Sequence, residues 1–129
     1  MLIIYNAFSG FSVKDIEEAA EFYSQVLGLD TKPEGYGLRI SLPGGGTAYT
    51  YPKPDHQPAD YTILNFEVDD IDEAVDELAS RGVKFEYYPD MNQDDKGIAR
   101  GLKVNRGPNI AWLKDPSGNT LAILQTKKR

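Results

Sequence analysis

Phe11-Ser12-Val13-Lys14-Asp15-Ile16-Glu17-Glu18-Ala19 returns as Phe66-Glu67-Val68-Asp69-Asp70-Ile71-Asp72-Glu73-Ala74, with six identities at a constant offset of 55. A second echo, Pro43-Gly44-Gly45-Gly46-Thr47 against Pro116-Ser117-Gly118-Asn119-Thr120, follows at an offset of 73. Two ordered echoes flanking comparable segments describe a duplicated module. Because the offset grows from 55 to 73, the second half carries about 18 more residues between its helix and its last turn. They fall near Pro89 to Asn109.

Each copy of the first echo leads from a strand into a helix. Residues 7–13 alternate, with Phe8, Gly10 and Ser12 on one face and Ala7, Ser9, Phe11 and Val13 on the other, which predicts a strand. Asp15 with Glu18 is an Asp form of the capping box. Ile16, Ala19, Ala20, Tyr23 and Val26/Leu27 then recur at helical spacing up to Gly28, a suitable left-handed terminator. Shorter strands are expected at Leu29–Thr31, Tyr36–Leu42 and Thr47–Tyr51. Gly44-Gly45-Gly46 reads as a hairpin turn, since neither the lysine nor the helix start of a phosphate loop follows it. In the second half the expected strands are Ile63–Val68, Val83–Tyr88, Ile110–Lys114 and Thr120–Gln125. The expected helix is Asp70–Arg81, burying Ile71, Ala74, Val75 and Leu78 and capped by Gly82. The predicted fold class is therefore α+β, as two tandem βαβββ modules. They cover about residues 1–52 and 60–129, joined by a proline-rich linker at 53–59 within a single domain, 1–129. Met91–Pro108 is polar and glycine-rich and reads as a long loop or lid.

Composition closes off several chemistries. At 129 residues, with 40% hydrophobic and 26% charged content, the chain is long enough for a core of its own. No apolar run approaches the ~20 residues of a membrane helix, and Met1–Tyr5 lacks the features of a signal peptide, so no membrane partner and a cytoplasmic address are expected. The absence of cysteine excludes disulfides, thiolate metal sites and a thiol nucleophile. A net charge of −6 argues against a nucleic-acid partner, and Lys127-Lys128-Arg129 reads as a solvated tail. No Gly-x-Ser-x-Gly elbow is present, and no catalytic residues can be assigned.

The segments Phe11-x-Val13-x-Asp15-Ile16, Phe22-Tyr23-x-x-Val26-Leu27-Gly28-Leu29, Phe66-x-Val68-Asp69-Asp70 and Lys114-Asp115-Pro116-x-Gly118-Asn119 carry a resemblance. Set in two βαβββ modules, they resemble the vicinal oxygen chelate superfamily, which includes glyoxalase I, extradiol dioxygenases and the bleomycin-resistance proteins. The resemblance implies that the curved sheets form a cupped mixed sheet, and that the family's metal enzymes hold four His, Gln or Glu ligands on its concave face. Transferred here, those positions are Phe8, Ile63, Ala122 and, through the echo, Tyr49. Phe8, Ile63 and Ala122 have no donor to offer and tyrosine rarely ligates, so the resemblance implies a non-metal branch with no cofactor. His56 is one group where a metal needs three or four, and reads as a linker histidine near the pocket. Asp90-x-Asn92-x-Asp94 imitates the start of a calcium loop but lacks its glycine and its closing glutamate, leaving a solvated acidic loop.

The same alternation places Phe8, Tyr49, Tyr51, Ile63, Asn65, Ala122 and Leu124 on the predicted cup face, with Trp112 a further member. An apolar, aromatic lining with a few polar handles suits a small organic molecule, planar or aromatic. The other reading is that these side chains fill the cup as a second core. The family's non-metal members include drug-sequestering dimers, so the expected partners are a small organic molecule and a second copy of the chain. Two alternatives stand beside this binding role. One is a metal-dependent lyase, isomerase or dioxygenase with ligands elsewhere; the other is a filled-cup interaction protein. Lys96, Arg100, Lys103 and Arg106 suit either an anionic substituent or plain solvation of the loop, and Glu67 is the aligned carboxylate near the rim.

Overall fold

The structure is a computed structural model that describes residues 1–127; Lys128 and Arg129 of the expected tail lie outside the described residues. The chain divides into two compact units, Met1–Pro58 and Ala59–Arg129.

The first unit runs β1 (Ser9–Val13), α1 (Ile16–Glu21), a π-helical turn (Phe22–Val26), β2 (Asp30–Glu34), β3 (Gly37–Ser41) and β4 (Thr47–Pro52). Its sheet has the order β1-β4-β3-β2, with β1 parallel to β4 and the other pairs antiparallel. Asp15 caps α1 by accepting from the Glu18 amide at 3.0 Å, as the capping box requires. The expected uninterrupted helix is not formed. After Glu21 the chain widens into a π turn, closed by Leu27 N–H donating to Phe22 C=O at 3.0 Å. One extra residue in the turn lets the consecutive Phe22 and Tyr23 both face the core, where their rings meet edge-on at 5.1 Å. Leu38, Ile40, Ala48 and Val13 complete that core, so the helix covers one sheet face. Pro33 is accommodated because β2 is an edge strand, where its missing N–H removes no ladder bond.

The second unit runs β5 (Thr62–Glu67), α2 (Ile71–Ser80), β6 (Ala99–Arg100), a 3₁₀ turn (Leu102–Val104), β7 (Asn109–Lys114) and β8 (Thr120–Gln125). Its order, β5-β8-β7-β6 with β5 parallel to β8, repeats that of the first unit. Ile71, Val75 and Leu78 of α2 are buried, at about 1.5–3 kcal/mol of hydrophobic stabilisation each. The amide of Ile71 donates to Gln125 Oε1 at 3.1 Å, while Asp70 caps Glu73. The Asp115-Pro-x-Gly-Asn119 motif is a structural clamp. Asp115 is buried and accepts from the Ser117 and Asn119 amides at 2.9 Å each, and Asn119 Oδ1 in turn accepts from the Ala59 amide.

One expected strand is replaced. Val83–Tyr88 makes a single bridge, Glu86 to Trp112, and the outer strand of this sheet is instead Ala99–Arg100, inside the segment expected as loop. The cause is Gln93. Its Oε1 accepts from Tyr88 N–H at 2.8 Å, and its Nε2 donates to the carbonyls of Glu86 and Gly97 at 2.8 and 2.7 Å. The side chain thus takes backbone groups that a ladder would have used. Among the described residues no helix is long and apolar enough to cross a membrane.

Candidate functional site

Helices cover one face of each sheet, and the expected site residues stand on the other. In the first unit the cross-strand pairs Gly10–Tyr49, Tyr49–Arg39 and Arg39–Lys32 set these four residues side by side in one row. Phe8 precedes β1 rather than lying within it and is 64% exposed. It nevertheless shares a pocket with Tyr49. The two line an open pocket of about 290 Å³ together with Asn6, Glu34, Arg39, Thr47 and Ala48.

The floor of that pocket is built before any ligand arrives. A Cβ on Gly37 would lie 2.9 Å from both Cζ and Oη of Tyr49, so the hydroxyl end of the tyrosine ring packs on a residue that must be glycine. Tyr49 Oη donates to the Glu34 carbonyl at 2.9 Å, which fixes the far end of the ring. Tyr51, also half out in solvent, stacks beside it with centroids 6.3 Å apart and planes at 22°. Arg39 forms an ion pair with Glu34 at the pocket's edge. His56 is half-buried, its Nδ1 2.7 Å from Ser12 Oγ, which ties the linker to β1.

In the second unit the equivalent row is Asn65–Ala122–Trp112, and the next is Glu67–Leu124–Ile110. Trp112 is braced by Tyr88, whose ring meets it edge-on at 5.5 Å, and Ala122 is fully covered. Ile63 falls at a bulge, because the pairing shifts between Thr62 and Leu64, so it stands out of register with the row below it. The eight expected residues thus gather by unit: Phe8, Tyr49 and Tyr51 on one face, and Asn65, Trp112, Ala122 and Leu124 on another, with Ile63 at its border.

The charged loop behaves differently from expectation. Arg100 holds Asp72 through both terminal nitrogens at 2.7 and 2.8 Å and Asp94 through Nε at 3.0 Å, while Lys96 reaches Asp72 and Asp76. The Arg100 hydrogen bonds hold the Asp72 carboxyl far below the ordinary aspartate range against its burial, with Lys96 adding to the effect. Burial pushes Asp94 up, but the Ile98 amide, Arg100 and the Lys96 amide outweigh it and its carboxyl is lowered. Asp94 is therefore not part of a solvated acidic loop, and Lys96 and Arg100 are committed to α2. Lys103 and Arg106 are exposed.

Phe8, Ile63 and Ala122 have no donor atom in their side chains, and the Tyr49 hydroxyl is engaged by the Glu34 carbonyl. Among the described residues no three His, Cys, Asp or Glu side chains converge as a metal site. Sequence reasoning missed Asn6, Glu34, Arg39 and Thr47. The alternation of Leu38, Ile40 and Leu42 would have put Arg39 on the open face, but its pairing with Glu34 depends on the β2–β3 register.

The sequence profile of the Glyoxalase/Bleomycin resistance protein/Dioxygenase superfamily matches residues 7–123. No curated protein sequence matches the chain. Among solved structures, a member of that superfamily from Sphaerobacter thermophilus DSM 20745 is similar at 24% identity and a TM-score of 0.66, over 97% of this chain and 99% of the other. TnmS3, an antibiotic-binding protein from Streptomyces sp. CB03234, is similar at 22% identity and a TM-score of 0.65, over 98% and 100%. The fosfomycin resistance protein FosX from Listeria monocytogenes is similar at 12% identity and a TM-score of 0.69, over 98% and 96%. At these identities the likenesses concern the fold.

Proposed function

Given that the chain belongs to the Glyoxalase/Bleomycin resistance protein/Dioxygenase superfamily, we propose that it binds a small organic molecule on its open sheet face and carries out none of the superfamily's metal chemistry. The observation that carries this is the pocket of about 290 Å³, in which two of the four family ligand positions, Phe8 and Tyr49, present rings in place of metal donors. Two aromatic rings beside the polar and charged groups of Asn6, Glu34, Arg39 and Thr47 offer stacking area and orienting hydrogen bonds, the two things a small-molecule site needs. Antibiotic binding, as in TnmS3, is the kind of role such a pocket serves.

The exposed run Leu2, Ile3, Ile4 and Tyr5 ahead of β1 supports pairing with a second copy, since side chains of this kind are normally covered. Purified protein is expected to contain no stoichiometric divalent metal by elemental analysis, to keep its melting temperature in chelator, and to weigh as a dimer by light scattering. A tightly bound metal in every chain, with a lower melting temperature once it is removed, would overturn the metal-free role. A monomer would overturn the pairing alone.

A further inference from the structure

We propose that the first-unit pocket selects a planar aromatic ligand bearing a carboxylate, its ring on Tyr49 beside Phe8 and its carboxylate taking the place of Glu34 on Arg39. This rests on the binding role proposed above and adds the ligand's chemical class. The ring position follows from Tyr49, whose hydroxyl end packs on Gly37 and is held by the Glu34 carbonyl at 2.9 Å. Gly10, its neighbour in the row, has no side chain to cover it. The pocket, at about 290 Å³, is at the small end for ligand sites and suits a molecule of one or two rings.

The charge preference follows from the same row. Next to Tyr49 stands Arg39, and next to Arg39 stands Lys32, two cations paired across β2 and β3. Asp30 is one row further away, opposite Ser41. A cationic group approaching Glu34 would meet both Arg39 and Lys32. An anionic group approaching Arg39 meets one like charge, Glu34, whose side chain is 44% exposed on an edge strand and can turn into solvent. An exposed pair of this kind is weak and its partner is readily exchanged. The Arg39 guanidinium gives one nitrogen to Glu34, and its planar fork matches a carboxylate in the two-bond geometry that favours Arg.

The full chain is titrated calorimetrically with 2-naphthoate, 2-naphthalenemethanol and 2-naphthylmethylamine, as wild type, Arg39→Gln and Glu34→Gln. Naphthoate is expected to bind about tenfold more tightly than the alcohol, the advantage vanishing in Arg39→Gln. Glu34→Gln, which removes the competing carboxylate, is expected to tighten naphthoate and weaken the amine. Equal affinity for all three probes, or a preference for naphthoate that survives Arg39→Gln, overturns the carboxylate assignment while the binding role stands. If no probe binds, this assignment falls, and the binding role falls with it when a broad screen of small organic molecules also gives no thermal shift. Both charge variants alter exposed side chains, and circular dichroism melts check that they fold.

Discussion

The open faces of the two units share a backbone and differ in what stands on it. The pairs Gly10–Tyr49–Arg39 and Asn65–Ala122–Trp112 are the same ladder positions, displaced by the same offsets of 55 and 73 that the sequence shows. Beyond them Lys32 answers to Glu86, which bridges Trp112. The first face puts its ring on β4, lays it over Gly37 and follows it with two cations. The second puts its ring on β7, braces it with Tyr88 and covers Ala122 completely. Duplication has preserved hydrogen-bond register, which belongs to the backbone. The chemistry of each face depends on which strand of the row carries the bulk, and that has diverged.

The largest effect that would break this comparison is expected from Gly37→Ala. Its Cβ would sit 2.1 Å from the Thr50 carbonyl oxygen as well as against the Tyr49 ring, and backbone cannot yield as a flexible side chain does. A loss of about 3 kcal/mol in denaturant unfolding is expected. The position 73 residues later is Ile110, so the constraint belongs to the first unit alone. A smaller effect isolates what the second unit has added, the ion-pair strap from Arg100 and Lys96 to α2. Asp72→Asn is expected to cost about 1 kcal/mol at neutral pH, because the pair is partly exposed and screened. A carboxyl whose folded pKa is depressed stabilises above its unfolded value, 3.8 for Asp, and loses that contribution as pH falls through the folded value. Urea unfolding from pH 7 down through pH 4 and below should therefore show the difference between wild type and Asp72→Asn shrinking only in acid. A constant difference would count against the strap.

The smallest effect has the opposite sign. Thr50 is fully buried and its hydroxyl has no hydrogen-bond partner among the described residues, whereas the equivalent position in the second unit is the buried Ile123. Thr50→Val is expected to stabilise by about 0.5 kcal/mol, measured as a raised unfolding midpoint, by removing a desolvated polar group without changing shape. A destabilisation would mean that the hydroxyl is satisfied in solution.

Legibility followed the range of the interaction. The strand Thr120–Gln125 and the helix at 71–80 were readable because alternation, the 3.6-residue stripe and the Asp70 cap are all local. The π turn at Phe22–Val26 was not, since its pattern differs from an α-helix by one residue in one turn. Strand β6 was invisible because two residues make no period, and Val83–Tyr88 reads as a strand although a side chain several residues on, Gln93, takes backbone groups of Glu86 and Tyr88. Of the site, the rings were readable from alternation, while Arg39 and Glu34 became a pair only once β2 lay against β3.

By itself the sequence determined the duplicated α+β architecture and the two capped helices, because two copies of one pattern calibrate each other. Only the tertiary structure decided that Tyr49 lies over Gly37 with Arg39 beside it, and that Arg100 reaches back 28 residues to Asp72. Those facts depend on which residues meet across ladders and between a loop and a helix, and no local propensity records such meetings.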